Sequence, residues 1–279
     1  MLSCIKELSF LLCRQLGLGS HQIVFNHQQG QACSIEGAQI YYECLGEPDA
    51  PALILLHGGF GQMEIFNPIL APMLDRFHVI GIDSRGHGAS TLGEQPLSYG
   101  QLQQDVEALL EHLGIRRCHL LGFSDGGIVG YRMAVASSIH IDSLVTIGSR
   151  WHIQHTLPTR EQFLATTAED RQRDYPQVYQ KYQQLNPQPD FPDLVRQLVA
   201  MWLDESTQGY PGGKIQDISC PLLVCRGDQD PLLGRQPVYE IAERLEQAQL
   251  FNLPGAKHMA FADQAAIFRS VLGQFWDHL

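Results

Sequence analysis

Six times along this chain a run of uninterrupted apolar residues ends in a short polar loop, most often rich in glycine. The runs are "ALILLHGGFG" (52–61), "HVIGIDSRGHG" (78–88), "CHLLGFSDGG" (118–127), "SLVTIGS" (143–149), "PLLVCRGDQD" (221–230) and "AQLFNLPGAKH" (248–258). A strand with one wet face alternates apolar and polar residues, whereas a strand covered on both faces does not. The runs therefore predict central parallel strands. Helical segments fall between them, the clearest from Ser98 to Leu113. There Ser98 is placed to cap, Gln101 follows three residues later, and Leu102, Val106, Leu109, Leu110 and Leu113 form an apolar stripe. Strands alternating with helices predict an α/β fold, a mostly parallel central sheet with helices on both faces. "QACSIEGAQIYYECL" (31–45) predicts two short strands meeting in a hairpin near Gly37.

The pattern breaks over residues 151–213. That stretch is polar and rich in Gln, with helical pieces such as "DLVRQLVAMWLDES" and the Pro-rich join "NPQPDFPD". Sheet strands continue on both sides, so it reads as a helical lid inserted into a single domain spanning residues 1–279. Residues 1–30 read as an N-terminal extension. In it Leu2, Ile5, Leu8, Leu12 and Leu16 recur at helical spacing, as in a short amphipathic helix lying on the body of the protein. Lys6, Glu7 and Arg14 interrupt any leader-like apolar stretch, and the polar side is not basic enough for a strong membrane-surface anchor.

There are 19 Lys and Arg against 30 Asp and Glu, a net charge of −11. A negative surface repels nucleic acid and anionic lipid, so neither is an expected partner. Acidic substrates are not expected either, unless a local basic pocket overrides the global field. No apolar run reaches the roughly 18 residues needed to span a bilayer. The seven cysteines are odd in number and lack Cys-x-x-Cys spacing, which fits a reducing, cytoplasmic setting. No metal-ligand cluster, phosphate loop or dinucleotide fingerprint occurs, so no metal or cofactor is expected.

The chemistry concentrates at loop residues. Gly122-Phe123-Ser124-Asp125-Gly126 has the form Gly-x-Ser-x-Gly between a strand-like and a helix-like run. Such a turn lifts the serine hydroxyl off the sheet and aims the N-terminus of the next helix at the site. A serine hydroxyl needs a base. His258 follows the last strand, where a loop can carry it over Ser124; His57 comes too early and has a structural place in His-Gly-Gly. The acid that orients the imidazole is Asp228 or Asp230, both after the strand "LLVC". The oxyanion donors expected are the N–H of Asp125, directly after the nucleophile, and that of Gly59, where the backbone can approach closely. Four residues are expected to meet substrate: Phe60 beside Gly59, Trp151 and His152 after a strand at the rim, and Asp125. Trp151 and His152 have an alternative place as lid anchors. The Asp125 carboxylate either favours the helix dipole or faces the pocket and attracts a cationic group.

Together the elbow, the His57-Gly58-Gly59 loop, "DSRGHGAS" and "GDQDP" resemble the α/β-hydrolase superfamily with a serine nucleophile, from about residue 35 to the C-terminus. "GFSDGG" and a short helical lid loosely resemble its biphenyl-hydrolase-like (valacyclovir hydrolase-like) branch. The resemblance favours Asp230 over Asp228, supports Gly59 as oxyanion donor, and makes Asp83 and Arg85 loop braces. Members of that branch handle amino-acid esters, which would give the Asp125 carboxylate an amine to bind. The implied activity is hydrolysis of a small carboxylic ester, lactone or thioester through an acyl-enzyme, with a small ester-like molecule as partner. Amide or carbon–carbon bond hydrolysis (iminopeptidase-like or ring-cleavage type), a haloperoxidase-like activity and a non-catalytic binding role share the same fold and triad. Oligomeric state is not legible in the sequence.

Overall fold

The computed structural model describes residues 23–279; the helix expected over Leu2 to Leu16 lies outside the described residues. Eight strands form one sheet in the order β1-β2-β4-β3-β5-β6-β7-β8. They are β1 (Gln31–Ile35), β2 (Ala38–Leu45), β3 (Ala52–Leu56), β4 (His78–Ile82), β5 (Arg117–Phe123), β6 (His140–Ile147), β7 (Leu222–Gly227) and β8 (Ala248–Leu253). From β4 to β8 every neighbouring pair is parallel, and β1 and β2 add an antiparallel edge. The β1–β2 hairpin turns through Glu36 and Gly37, at φ 43° and 79°. Positive φ at both loop residues suits a two-residue turn to the twist of its strands.

Ten helices accompany the strands among the described residues: α1 (Asn67–Leu74), α2 (Tyr99–His112), α3 (Asp125–Val135), α4 (Arg160–Leu164), α5 (Ala168–Asp174), α6 (Pro176–Leu185), α7 (Phe191–Trp202), α8 (Gln236–Arg244), α9 (Ala260–Asp263) and α10 (Ala265–Asp277). The apolar strands feed two cores. Ile54 and Leu56 of β3 point to one face, with Leu102, Val106 and Leu109 of α2, Ile128 of α3 and Ile241 of α8. Leu53 and Leu55 point to the other, with Ile69, Leu70 and Met73 of α1 and Phe268 and Leu272 of α10. Five of the six apolar runs are thus strands largely covered on both faces; the sixth, β8, is instead the edge strand of the sheet, with Gln249 and Leu250 exposed, because it has a neighbour on one side only. Helix α2 begins as expected, its Ser98 Oγ accepting the Gln101 N–H at 3.0 Å.

Between β6 and β7 the chain forms a 3₁₀ turn (Ile153–Thr159), helices α4 to α7 and a second 3₁₀ turn (Gly212–Asp217). The loop after β4 is braced by buried charge. Asp83 accepts the amides of Met63 at 2.9 Å and Ala89 at 2.8 Å. Arg85 makes a two-point pair with Asp105 of α2, at 2.8 and 2.5 Å. The loops after β3, β5, β6, β7 and β8 all meet at the carboxyl ends of the strands, where ligands bind in open α/β sheets. Among the described residues no helix is long and apolar enough to cross a membrane, and the five cysteines are free thiols.

Candidate active site

Ser124 stands between the end of β5 and the first turn of α3, at φ 50° and ψ −114°. That conformation is rare for a residue with a Cβ, and it persists only where the surroundings impose it. Here the start of α3 lies so close to β3 and β5 that a Cβ on Gly126 would lie 2.0 Å from the Leu56 carbonyl oxygen, and one on Gly122 would lie 2.4 Å from the Gly126 carbonyl oxygen. The glycines of the pentapeptide are therefore required by contact with neighbouring backbone.

His258, in the loop after β8, reaches over the elbow. The Ser124 hydroxyl donates to His258 Nε2 at 3.1 Å, and His258 Nδ1–H donates to Asp230 Oδ2 at 2.8 Å. The other Asp230 oxygen accepts the amides of Leu232 at 2.8 Å and Leu233 at 3.1 Å, so the carboxylate is held from both ends. The imidazole also rests against Phe123, with ring centres 4.9 Å apart. Asp228 faces elsewhere. It accepts from Asn252 at 3.0 Å and from Arg235 at 2.9 Å, and these bonds hold its carboxyl below the usual carboxylate range.

As the first residue of α3, Asp125 has no intrahelical acceptor for its N–H. Gly59 faces it: a Cβ there would lie 2.7 Å from Asp125 Oδ2 and 3.0 Å from the Trp202 ring. The chain then reverses at Phe60, φ 60°, with the Gly61 N–H bonded to the Gly58 carbonyl at 2.9 Å. His57 underpins this loop. Its Nε2 accepts the Ser84 amide at 2.9 Å and its Nδ1–H donates to Gly58 at 2.8 Å. Full burial pushes its pKa down to about 4, so it stays neutral near pH 7.

Ser124, His258, Gly59, Phe60 and Asp125 all line one cavity of about 560 Å³ beneath the helical segment between β6 and β7. Trp151 and His152 do not, which corrects their expected place against substrate. The chain turns at Gly148, φ 63°, and it is Arg150 that faces the cavity. Trp151 is buried behind it, its indole N–H donating to the Pro237 carbonyl at 2.9 Å. His152 caps the following 3₁₀ turn by accepting the Gln154 amide at 3.1 Å and borders a separate groove with Arg132 and Tyr210.

The Asp125 carboxylate is already engaged. It accepts the Tyr99 hydroxyl at 2.8 Å, and the Trp202 indole N–H lies 3.1 and 3.0 Å from its two oxygens. Burial raises its pKa, and these two donors oppose that rise. It joins α2, the elbow and α7. Sequence reasoning missed Tyr99, Trp202, Arg150 and Arg171 here. For Arg150 a signal existed, because it follows β6 at the same rim as Ser124 and Asp230.

Known proteins share this architecture. Serine hydrolase BPHL of Homo sapiens is 25% identical over 246 residues, covering 83% of this chain and 81% of that protein. 3-Oxoadipate enol-lactonase 2 of Acinetobacter baylyi is 27% identical over 257 residues, covering 82% of this chain and 92% of the relative. The fold superposes on a meta-cleavage product hydrolase from Pseudomonas fluorescens with a TM-score of 0.75 at 18% identity, covering 91% of this chain and 99% of that one. The profile of the alpha/beta hydrolase family matches residues 53–270, most of the chain. With the sheet order, the strand-tip loops and this match in agreement, the chain belongs to the alpha/beta hydrolase family.

Proposed function

We propose that this protein is a serine hydrolase that cleaves a carboxylic ester, lactone or thioester through an acyl-enzyme. The observation that carries the reading is the unbroken chain from Asp230 through His258 to Ser124, at 2.8 and 3.1 Å. Ser124 Oγ attacks the carbonyl carbon while its proton passes to His258 Nε2. Asp230 keeps the imidazole in the tautomer with its proton on Nδ1 and stabilises the imidazolium. The tetrahedral oxyanion is received by the N–H groups of Gly59 and Asp125 at the start of α3. The imidazolium then protonates the departing alkoxide or thiolate, leaving the acyl group on Ser124. Water attacks the acyl-enzyme, His258 takes its proton, and collapse releases the acid and returns the proton to Ser124. An enol-lactonase among the relatives supports an ester-type bond, since a lactone is a cyclic ester.

The test is Ser124→Ala. The variant is expected to lose turnover of chromogenic short-chain esters and labelling by a fluorophosphonate while keeping the wild-type circular dichroism spectrum. His258→Ala is expected to cost a comparable factor, because nucleophile and base act as one unit. A Ser124→Ala variant that kept most of its turnover would overturn the assignment.

A further inference from the structure

The reaction cavity holds more positive charge than its chemistry requires. Of its lining residues Arg150, Arg171 and Lys181 are cationic, and Asp125 is the one carboxylate. Lys181 is paired with Glu64 at 2.9 Å. Neither arginine forms an ion pair among the described residues. In α5 the carboxylates of Asp170 and Asp174 go to Arg173, on the exposed side. Arg171 turns inward and lies over the rings of Phe60, 4.3 Å away, and Tyr175, 4.2 Å away. Arg150, only 8% exposed, donates to Thr159 Oγ1 at 2.8 Å and to the Leu232 carbonyl. The Nε of each arginine is buried with no hydrogen-bond partner. A guanidinium stays charged at any ordinary pH, and a buried charge left unpaired is costly. Asp125 feels the charge of Arg150 but forms no ion pair with either arginine; its donors are Tyr99 and Trp202. The aromatic rings beside Arg171 stabilise a cation from the side and leave its N–H edge for an anion.

We infer that Arg150 and Arg171 form an anion subsite within the reaction cavity, and that the ester cleaved there carries a carboxylate. The inference rests on the reading of Ser124 as nucleophile. It is the local exception left open by the net charge of −11, since this pocket is basic within an acidic protein.

The test compares two pairs of isosteric esters. Mono-4-nitrophenyl adipate is set against 4-nitrophenyl 6-methylheptanoate, with the charge on the acyl side. 3-Acetoxybenzoate is set against 3-isopropylphenyl acetate, with the charge on the alcohol side. In at least one pair the wild type is expected to favour the carboxylate in kcat/KM. Arg171→Gln and Arg150→Gln are each expected to lower that ratio by about tenfold to a hundredfold, chiefly through a higher KM for the charged ester. Arg171→Lys, which keeps the charge, is expected to retain more of the ratio than Arg171→Gln. Calorimetry with monomethyl adipate on Ser124→Ala gives a readout free of turnover: binding is expected, and it weakens when Arg171→Gln is added. Ratios that do not change, or monomethyl adipate binding that is absent or indifferent to Arg171, would overturn the subsite. If fluorophosphonate still labels Ser124 in that case, the hydrolase reading stands without it. Loss of labelling in the wild type would instead remove the nucleophile and the inference together.

Discussion

Asp228 and Asp230 lie two residues apart in one loop, yet their partners separate them completely. The Asp230 side chain is fully buried against His258 and two backbone amides, while Asp228 joins a surface pair with Arg235. Asp230→Asn is therefore expected to lower kcat by several orders of magnitude, as in the roughly 10⁴-fold loss at the equivalent position of the serine-protease template. Asp228→Asn is expected to change kcat little; the reverse ranking in steady-state kinetics would reject the assignment. Gly126→Ala is expected to cost about 1–3 kcal/mol in denaturant unfolding, because the new Cβ would meet the Leu56 carbonyl and displace backbone. Ser124 and His258 were legible in the sequence because a pentapeptide and a strand-tip histidine carry local signals. The choice between the two aspartates came from resemblance, since both follow the same strand. The unpaired state of Arg150 and Arg171 was not legible, because lack of a partner is a property of three-dimensional surroundings.

Among the elements, the hairpin, the parallel strands and α2 were readable from apolar continuity, a Gly-containing turn and a capping serine. The segment between β6 and β7 was readable as helical, but not in its facing. A single turn at Gly148 decides whether Arg150 or Trp151 meets the cavity, and no periodicity encodes that turn. A second device was equally hidden: His27, ahead of β1, sits between Glu64 at 2.6 Å and Asp83 at 2.7 Å. Burial lowers its pKa, but hydrogen bonds and charge from Asp83 and Glu64 outweigh it and raise the folded value above the ordinary 6.5. A group raised on folding contributes stability that is fully present below its unfolded pKa and fades as pH rises through the folded one. Only the imidazolium donates to both carboxylates; the neutral ring has one N–H. The stability difference between wild type and His27→Gln is therefore expected to be largest below about pH 6.5 and to shrink as the solution becomes alkaline. Urea unfolding across that range measures it, and a difference growing with pH would contradict the clamp.

For the molecule as a whole, the α/β class followed from the strand runs, but the charge at the centre did not follow from the charge of the chain. Net charge describes the far field and solubility; the cavity is set by the few side chains that turn inward. The same separation of local from global applies to stability. Ser124 occupies a backbone conformation that only glycine adopts freely, and holding a residue there costs about 1–3 kcal/mol. Ser124→Gly and Ser124→Ala both lack the hydroxyl, but only glycine relieves the backbone. The glycine variant is expected to melt at a higher temperature than the alanine variant in calorimetry, with both inactive. The opposite order would mean that the elbow is relaxed as built. Selection for thermal endurance alone would thus erode the serine toward glycine, and its persistence would record selection on turnover acting against selection on folding.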